Sequence, residues 1–191
     1  MKKGFTLIET IVVIAVIGIT LPVLVAIILT LMRQQLKINR LSQIKREGDY
    51  VSSVIGNTIK DRAFSIHTGK PVNDTTKICE EALSFSNPTT SLFFLDKSKN
   101  WFGYEISGNT IASKSADLEN LPNDQTINLT STKIFISNFS ISCSRDNVYS
   151  APSVQFSFDV CYDNGLPNCA TTRPEEITSL HYQSRIKIRN Y

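Results

Sequence analysis

Near the N-terminus, the residue with the clearest chemical potential is Glu9, because it lies inside an apolar run. Phe5 to Met32 is almost wholly apolar, and Glu9 is the one charged side chain within it. A carboxylate inside a membrane helix costs about 2.5–3.5 kcal/mol on the lenient insertion scale. The sequence therefore predicts that something offsets this cost. A partner cation would do so, and so would a position at the solvated membrane interface.

Cysteines are the second group that could carry chemistry, and the chain has Cys79, Cys143, Cys161 and Cys169. An even number behind an export-type N-terminus favours disulfides formed outside the cytoplasm. A zinc site is the alternative, but the sequence has no C-x-x-C and only His67 and His181 could add ligands. Of the three possible connectivities, we favour Cys161–Cys169, which closes the loop CYDNGLPNC, together with Cys79–Cys143.

Other reactive side chains have no catalytic pattern around them. The sequence contains no Gly-rich phosphate loop and no G-x-S-x-G. His67 and His181 are expected on a surface or a strand face. The adjacent pairs Glu80-Glu81 and Glu175-Glu176 point apart in a helix or strand, which favours solvated charge over paired acid–base work. The sequence therefore predicts no enzymatic activity, no cofactor and no metal site.

The composition limits the class of partner. The chain has 191 residues, a formal net charge of +3 and 41% hydrophobic residues. Apart from a modest concentration between Arg33 and Arg46, its basic residues are dispersed, so no nucleic-acid partner is evident. A length-based estimate gives about one domain plus a tether.

The apolar run must be the element that positions Glu9. It covers roughly 28 residues, or about 42 Å as a helix, and about 20 residues suffice to cross the hydrocarbon core. A secretory signal peptide fits poorly, because its apolar core is shorter and ends in an A-x-A-like site. Pro22 interrupts the run, so a kink or a short melted stretch is expected there.

Two arguments about orientation disagree. Lys2 and Lys3 precede the apolar run, whereas five basic residues follow it: Arg33, Lys37, Arg40, Lys45 and Arg46. The positive-inside rule alone would leave the C-terminal part in the cytoplasm. The interpretation of the cysteines as disulfides places it outside.

The first nine residues resemble a known processing signal. Lys2-Lys3-Gly4-Phe5-Thr6-Leu7-Ile8-Glu9 is similar to the prepilin signal of type IV pilins and type II secretion pseudopilins. That signal is a short basic leader ending in Gly, followed by a Phe that opens a long apolar helix with Glu at its fifth position. The resemblance implies an α+β, pilin-like fold, in which a long helix, first transmembrane and then amphipathic, packs on an antiparallel β-sheet domain.

The resemblance also implies a maturation route. A prepilin peptidase would cut between Gly4 and Phe5 on the cytoplasmic side and methylate the new N-terminus of Phe5. Glu9 would then pair with the N-terminal amine of a neighbouring subunit and set the register of helices in a filament. The leader would lie in the cytoplasm and the C-terminal domain outside, which resolves the disagreement over orientation.

Beyond the apolar run, the spacing of apolar residues predicts that the helix continues. From Arg33 to about Ile66 they recur every three or four residues, the period of an amphipathic helix: Leu36, Leu41, Ile44, Gly48, Val51, Ile55 and Ile59. Gly69-Lys70-Pro71 is expected to end it. The predicted segments are a leader (1–4), a transmembrane helix (5–32), an amphipathic helix (33–68) and a β-rich exported domain (69–191).

Six short alternating segments in that domain predict antiparallel strands: Ser91–Asp96, Trp101–Ile106, Thr110–Lys114, Lys133–Cys143, Ser153–Cys161 and Leu180–Ile188. Ser107-Gly108-Asn109 predicts a hairpin turn between two of them. Loops are expected at Ser115–Gln125, Arg145–Pro152 and Asp163–Pro174.

The order of these segments is similar to that of J-type minor pseudopilins of type II secretion and of PilW-type minor pilins. The matching features are YEISGNTIAS, the turn Leu129-Thr130-Ser131 and the final Arg189-Asn190. The resemblance implies a minor subunit of a pseudopilus or pilus, anchored in the bacterial cytoplasmic membrane. Its implied partners are prepilin peptidase, other pilins or pseudopilins, and membrane lipid. The alternative is a membrane-anchored binding or adhesion module that does not polymerise.

Overall fold

The structure, a computed structural model, describes residues 6–70, 74–117, 125–162 and 179–189. A single helix, α1 (Leu7–Arg62), comes first and a 3-10 turn lies at Asp74–Thr76. The strands are β1 (Ser65–His67), β2 (Lys77–Ile78), β3 (Ser84–Phe85), β4 (Ser91–Leu95), β5 (Asn100–Ser107), β6 (Thr110–Asp117), β7 (Gln125–Asn128), β8 (Ile134–Arg145), β9 (Ser153–Tyr162) and β10 (Ser179–Lys187).

The chain divides into two units, Met1–Arg40 and Leu41–Tyr191. In the first unit, the structure describes α1 from its start to Arg40, and residues 6–39 are exposed throughout. The helix passes Pro22 without interruption, so the melted stretch expected there is not formed. A bend at Pro22 stays a prediction. Between Thr10 and Met32 this part of the helix is apolar around its whole circumference, a pattern typical of a membrane span.

In the second unit, the remainder of α1 is amphipathic as predicted. Its buried residues recur at the helical period: Ile44, Gly48, Val51, Ile55 and Ile59. The first two members of the predicted apolar stripe differ, because Leu36 is 60% exposed and Leu41 is 39% exposed. The buried face therefore begins at Ile44.

The end of α1 corrects the predicted boundary at residue 68. The helix ends at Arg62, and the Phe64 amide donates a 2.8 Å hydrogen bond to the Leu95 carbonyl. Residues Ser65–His67 then pair with β4 as strand β1. Strand pairing therefore ends the helix before Gly69-Lys70-Pro71 is reached. A 3.3 Å ion pair between Arg62 and Asp96 joins the last turn to the end of β4.

The strands form two antiparallel sheets within the second unit. The six-stranded sheet has the order β2-β1-β4-β5-β6-β7, and the four-stranded sheet has the order β10-β9-β8-β3. All six predicted strands are present. Gly108, with φ of +59°, and Asn109 form the two-residue turn between Ser107 and Thr110, as predicted for the β5–β6 hairpin.

Two parts of the predicted loop pattern were wrong. Strand β6 runs to Asp117 and β7 begins at Gln125, so the ends of the expected loop Ser115–Gln125 are strand. The short strands β1, β2, β3 and β7 were not predicted. In the interval Arg145–Pro152, Arg145 closes β8 and the residues after it form the expected connection.

The core of the second unit lies between the buried face of α1 and the inner faces of both sheets. The predicted alternation in β9 is confirmed, since Val154, Phe156, Phe158 and Val160 are all buried. Strand β8 alternates similarly but contains a register shift between Ser137 and Ser140, where Asn138 has φ of +54°. This β-bulge lets both ends of a long strand keep their apolar side chains inward.

Candidate functional site at the N-terminus

The candidate site is the first turn of α1. Thr6 precedes the helix, and its carbonyl accepts the Glu9 amide at 3.0 Å and the Thr10 amide at 3.3 Å. The predicted cleavage residues Gly4 and Phe5, and with them the methylation of Phe5, lie outside the described residues. The described geometry therefore begins at Thr6, the second residue after the predicted cut.

Glu9 lies in this first turn and its side chain is exposed. The unpaired amides at the start of a helix carry partial positive charge, so a carboxylate is favourable there. The next carboxylate along the chain is Glu47, and no basic residue occurs between Thr6 and Met32. Across the part of the chain that the structure describes, Glu9 forms no ion pair.

The hydroxyl groups in the apolar stretch are satisfied within the helix. Thr10 donates to the Leu7 carbonyl at 2.8 Å, Thr20 to the Val16 carbonyl at 3.0 Å, and Thr30 to the Ala26 carbonyl at 2.9 Å. Such bonds remove the cost of placing a hydroxyl in an apolar solvent. Among the polar side chains of the apolar stretch, Glu9 is thus the one whose transfer into an apolar environment would still cost free energy.

By length and composition, α1 can cross a membrane, and none of its most apolar window is buried inside the structure. The exposed apolar surface includes branched side chains on every face of the helix. In water such a surface would be strongly unfavourable. The helix therefore fits a single membrane span, with Glu9 near one end.

The predicted disulfide Cys79–Cys143 is present. It joins residues 64 positions apart with a Cα–Cα distance of 6.4 Å, and both cysteines belong to the buried core. Cys161 is 4% exposed, but Cys169 lies in the interval 163–178, so the predicted pairing Cys161–Cys169 falls outside the described residues. The Cys79–Cys143 bond fixes the segment before β3 to strand β8.

One contact in the second unit was missed by sequence reasoning. The ring of Tyr182 in β10 lies over Gly48, where a Cβ atom would come within 2.3 Å of it. The Tyr182 hydroxyl lies 3.1 Å from the Lys45 carbonyl oxygen and 3.0 Å from Asp49 Oδ1, and both accept from it. The signal that could have found it was the glycine in an otherwise aliphatic stripe.

This contact changes the chemistry of the phenol. Partial burial, followed by the hydrogen bond and the negative charge of Asp49, raises the pKa of Tyr182 to about 12. All three causes disfavour the phenolate. The neutral hydroxyl is thus part of the attachment of β10 to the helix.

The turn Leu129-Thr130-Ser131 also meets the helix. Ser131 donates its amide to Glu47 Oε2 at 3.2 Å, and Leu129 is 8% exposed. Sequence reasoning singled out the turn but missed Glu47 as its partner. The contact anchors the connection between β7 and β8 on α1.

The two histidines occupy different strand positions. His67 is buried in β1, with Ser65 Oγ 2.8 Å from its Nε2 and Thr76 Oγ1 3.1 Å from its Nδ1. His181 is exposed in β10, with its Nδ1 2.7 Å from Asp159 Oδ1. Over the described ranges, no group of three or more His, Cys, Asp or Glu side chains could hold a metal ion.

Comparison with known protein families supports the same site. Residues 1–21 match the model of the prokaryotic N-terminal methylation motif, which covers the basic leader, Gly4-Phe5 and Glu9. No curated protein and no solved structure matches the chain. The motif implies processing by prepilin peptidase and assembly with other pilins.

The methylation motif continues into α1, the helix that also contains the apolar span, and the amphipathic part of that helix packs on antiparallel sheets. The chain therefore carries the type IV prepilin signal and has an α+β, pilin-like architecture.

Proposed function

We propose that this chain is a minor pilin or pseudopilin, a structural subunit of a type IV pilus or of a type II secretion pseudopilus. Prepilin peptidase removes the leader after Gly4 and methylates Phe5. The mature subunit resides in the cytoplasmic membrane and then enters a filament, where its domain contacts partner subunits near the tip. The single observation that carries the proposal is the match of residues 1–21 to the methylation motif.

The orientation in this proposal follows the disulfide. Cys79 and Cys143 are bonded, and such bonds form in oxidising compartments outside the cytoplasm. The five basic residues between Arg33 and Arg46 argue for the opposite orientation under the positive-inside rule. We give the disulfide more weight, because in this proposal the basic residues belong to a helix that continues into a domain and not to a short cytoplasmic loop.

The role of Glu9 follows from its surroundings. Its carboxylate is exposed in the first turn of a helix that is otherwise apolar. Cleavage would create an ammonium group at Phe5, one turn before Glu9. Pairing Glu9 with the ammonium group of a neighbouring subunit would remove the cost of two charges at once. That gain is the proposed reason for subunits to associate in one register.

The first test is cleavage. When the full chain is co-expressed with a prepilin peptidase, mass spectrometry of the N-terminus should find a methylated Phe5. Gly4→Ala should retain the leader in most molecules, because the added Cβ obstructs close approach to the backbone at the cut. Gly18→Ala is the matched control, since a Cβ added at Gly18 would meet no atom within 4 Å beyond the adjacent backbone of its own helix, and it should be processed normally.

Two outcomes of this test would contradict the proposal. An uncut Met1 start in the wild-type chain would favour a membrane-anchored binding module that does not polymerise. Normal processing of Gly4→Ala would reject the predicted cut site.

The second test concerns assembly. Glu9→Ala should be cleaved normally but should enter filaments at least about tenfold less, because the amine of the neighbouring subunit loses its partner. Sheared filaments would be quantified by immunoblot against the membrane fraction. Thr10→Ala, which removes a hydroxyl bonded within its own helix, is the control. Equal incorporation of both variants would reject the register role of Glu9.

A further inference from the structure

The apolar stretch gives way abruptly to a cationic one. Between Arg33 and Arg46 the sequence carries five basic residues and no acidic residue, and the first carboxylate after Glu9 is Glu47. Arg33 follows Met32 directly, without a polar spacer. The change from apolar to cationic therefore occurs within one residue of the helix.

Helix geometry places three of these cations together. Arg33, Lys37 and Arg40 are spaced i, i+4 and i+7, so they share one face of α1 over about 10 Å of its length. We call them the basic stripe. Arg33 and Lys37 are exposed, and the neighbouring apolar side chains Leu36 and Ile38 are 60% and 63% exposed. Cations beside exposed aliphatic side chains are typical of a helix at a membrane surface.

The length of the span sets the depth of the stripe. Thr10 to Met32 contains only uncharged residues and is about 34 Å long as a helix. That length matches a hydrocarbon core of about 30 Å with a modest tilt. With Glu9 at one interface, Arg33 reaches the other, and Lys37 and Arg40 lie within about one Debye length of it.

We propose that the basic stripe binds the phosphate groups of anionic lipids where α1 leaves the membrane. The guanidinium group of Arg33 matches two phosphate oxygens, and the ammonium group of Lys37 acts as a point charge on a long flexible stem. The stripe would gather anionic lipid around each unassembled chain and fix the depth of the span. The proposal rests on the single span and not on cleavage or filament assembly.

The experiment measures lipid selectivity at the full-length chain reconstituted in bilayers. Electron spin resonance of spin-labelled lipids gives the association constant of phosphatidylglycerol at the protein surface relative to phosphatidylcholine. The wild-type chain should prefer phosphatidylglycerol by about threefold or more at low ionic strength, since each cation near the surface contributes up to about fivefold. At about 1 M salt the ratio should approach one.

Double substitutions test which cations produce the preference for phosphatidylglycerol. Arg33→Gln/Lys37→Gln should bring the ratio close to one. Lys97→Gln/Lys99→Gln removes the same charge from exposed positions after β4 and should keep the wild-type ratio. Arg33→Lys/Lys37→Arg keeps the charge and should retain most of the preference.

Several results would overturn the proposal. These are a wild-type ratio near one at low salt, a preference that persists at 1 M salt, and an unchanged ratio in Arg33→Gln/Lys37→Gln. A preference that is lost equally in Lys97→Gln/Lys99→Gln would show that net charge is responsible and would also reject the stripe. Since leader cleavage is measured separately, either proposal can fail while the other stands.

Discussion

The two parts of α1 differ in what surrounds them, although they belong to one uninterrupted helix. From Thr6 to residue 39 every residue is exposed, including a long series of Ile, Leu and Val. Within the second unit, four aliphatic side chains of the same helix are completely buried: Ile44, Val51, Ile55 and Ile59. The more apolar part of the helix is therefore the part that this chain does not cover.

This difference shows that hydrophobicity alone does not predict burial within a chain. The second part alternates apolar and charged residues at a period that matches one packed face. The stretch of the first part between Thr10 and Met32 has no such face, so the environment that suits it is apolar on all sides. The period of the pattern, rather than its mean hydropathy, distinguishes a helix packed on its own sheets from a helix placed in lipid.

The largest effect is expected when a buried side chain in the second part of α1 is shortened. Ile55→Ala removes a side chain that is 0% exposed, and the lost burial together with the cavity should lower the free energy of unfolding by about 2–5 kcal/mol. The second unit would be followed by thermal and urea unfolding of the full chain in detergent micelles. The midpoint should fall clearly below that of the wild type.

Ile17→Ala is the matched control for this prediction. Ile17 lies on the same helix but is 51% exposed, so its truncation should change the unfolding of the second unit by less than about 0.5 kcal/mol. Equal destabilisation by both variants would mean that the burial of a side chain on α1 does not determine its contribution to the stability of the second unit.

A smaller effect on stability is expected when two glycines in the second part of α1 are replaced by alanine. Gly48→Ala places a Cβ within 2.3 Å of the Tyr182 ring, and that ring also stacks on Phe158 with centroids 5.2 Å apart. Moving it should lower the free energy of unfolding by about 1–2 kcal/mol. Gly56→Ala, whose Cβ would lie 3.5 Å from Ile186, should instead stabilise by about 0.5–1 kcal/mol through helix propensity. Chemical denaturation of both variants would reveal opposite signs, and destabilisation by Gly56→Ala alone would reject this account.

The smallest predicted effect is a pH dependence. The pKa of Tyr182 rises to about 12 in the folded chain, from an ordinary value of 10.0. The folded state therefore favours the neutral phenol, so this contribution is fully present below about pH 10 and is lost as the pH rises towards 12. Stability profiles across that range should be less steep for Tyr182→Phe than for the wild type.

Tyr50→Phe is the control for the pH profile, because Tyr50 lies on the same helix and is 55% exposed. Burial also raises the pKa of Tyr104, but Tyr104 is present in every variant and its contribution cancels. A profile for Tyr182→Phe as steep as that of Tyr50→Phe would show that the burial of Tyr182 and its contact with Asp49 do not raise its pKa.

The sequence contained enough local signal for the helix and for the longer strands. The i, i+3, i+4 spacing from Ile44 to Ile59 and the alternation in β9 are properties of neighbouring residues, so they can be seen without tertiary contacts. The position of Glu9 in the first turn follows in the same way from its place near the start of the apolar run.

What could not be predicted depends on residues far apart in the chain. Strand β1 has three residues and exists because it pairs with β4, and β3 has two residues that pair with the end of β8. The early end of α1 follows from the same pairing of β1. The contact of Tyr182 with Gly48 joins residues more than 130 positions apart. The glycine in the aliphatic stripe indicates a close approach, but no local pattern identifies Tyr182 as the partner.

The contact between Tyr182 and the Lys45 carbonyl, which are 137 positions apart, has a consequence for biosynthesis. The ribosome makes the amphipathic part of α1 well before it makes β10, which lies more than a hundred residues further along the chain. Until Tyr182 and Ile186 arrive, the apolar face around Gly48 lacks its final cover. A newly made chain therefore passes through an interval in which this face is incompletely shielded and open to aggregation.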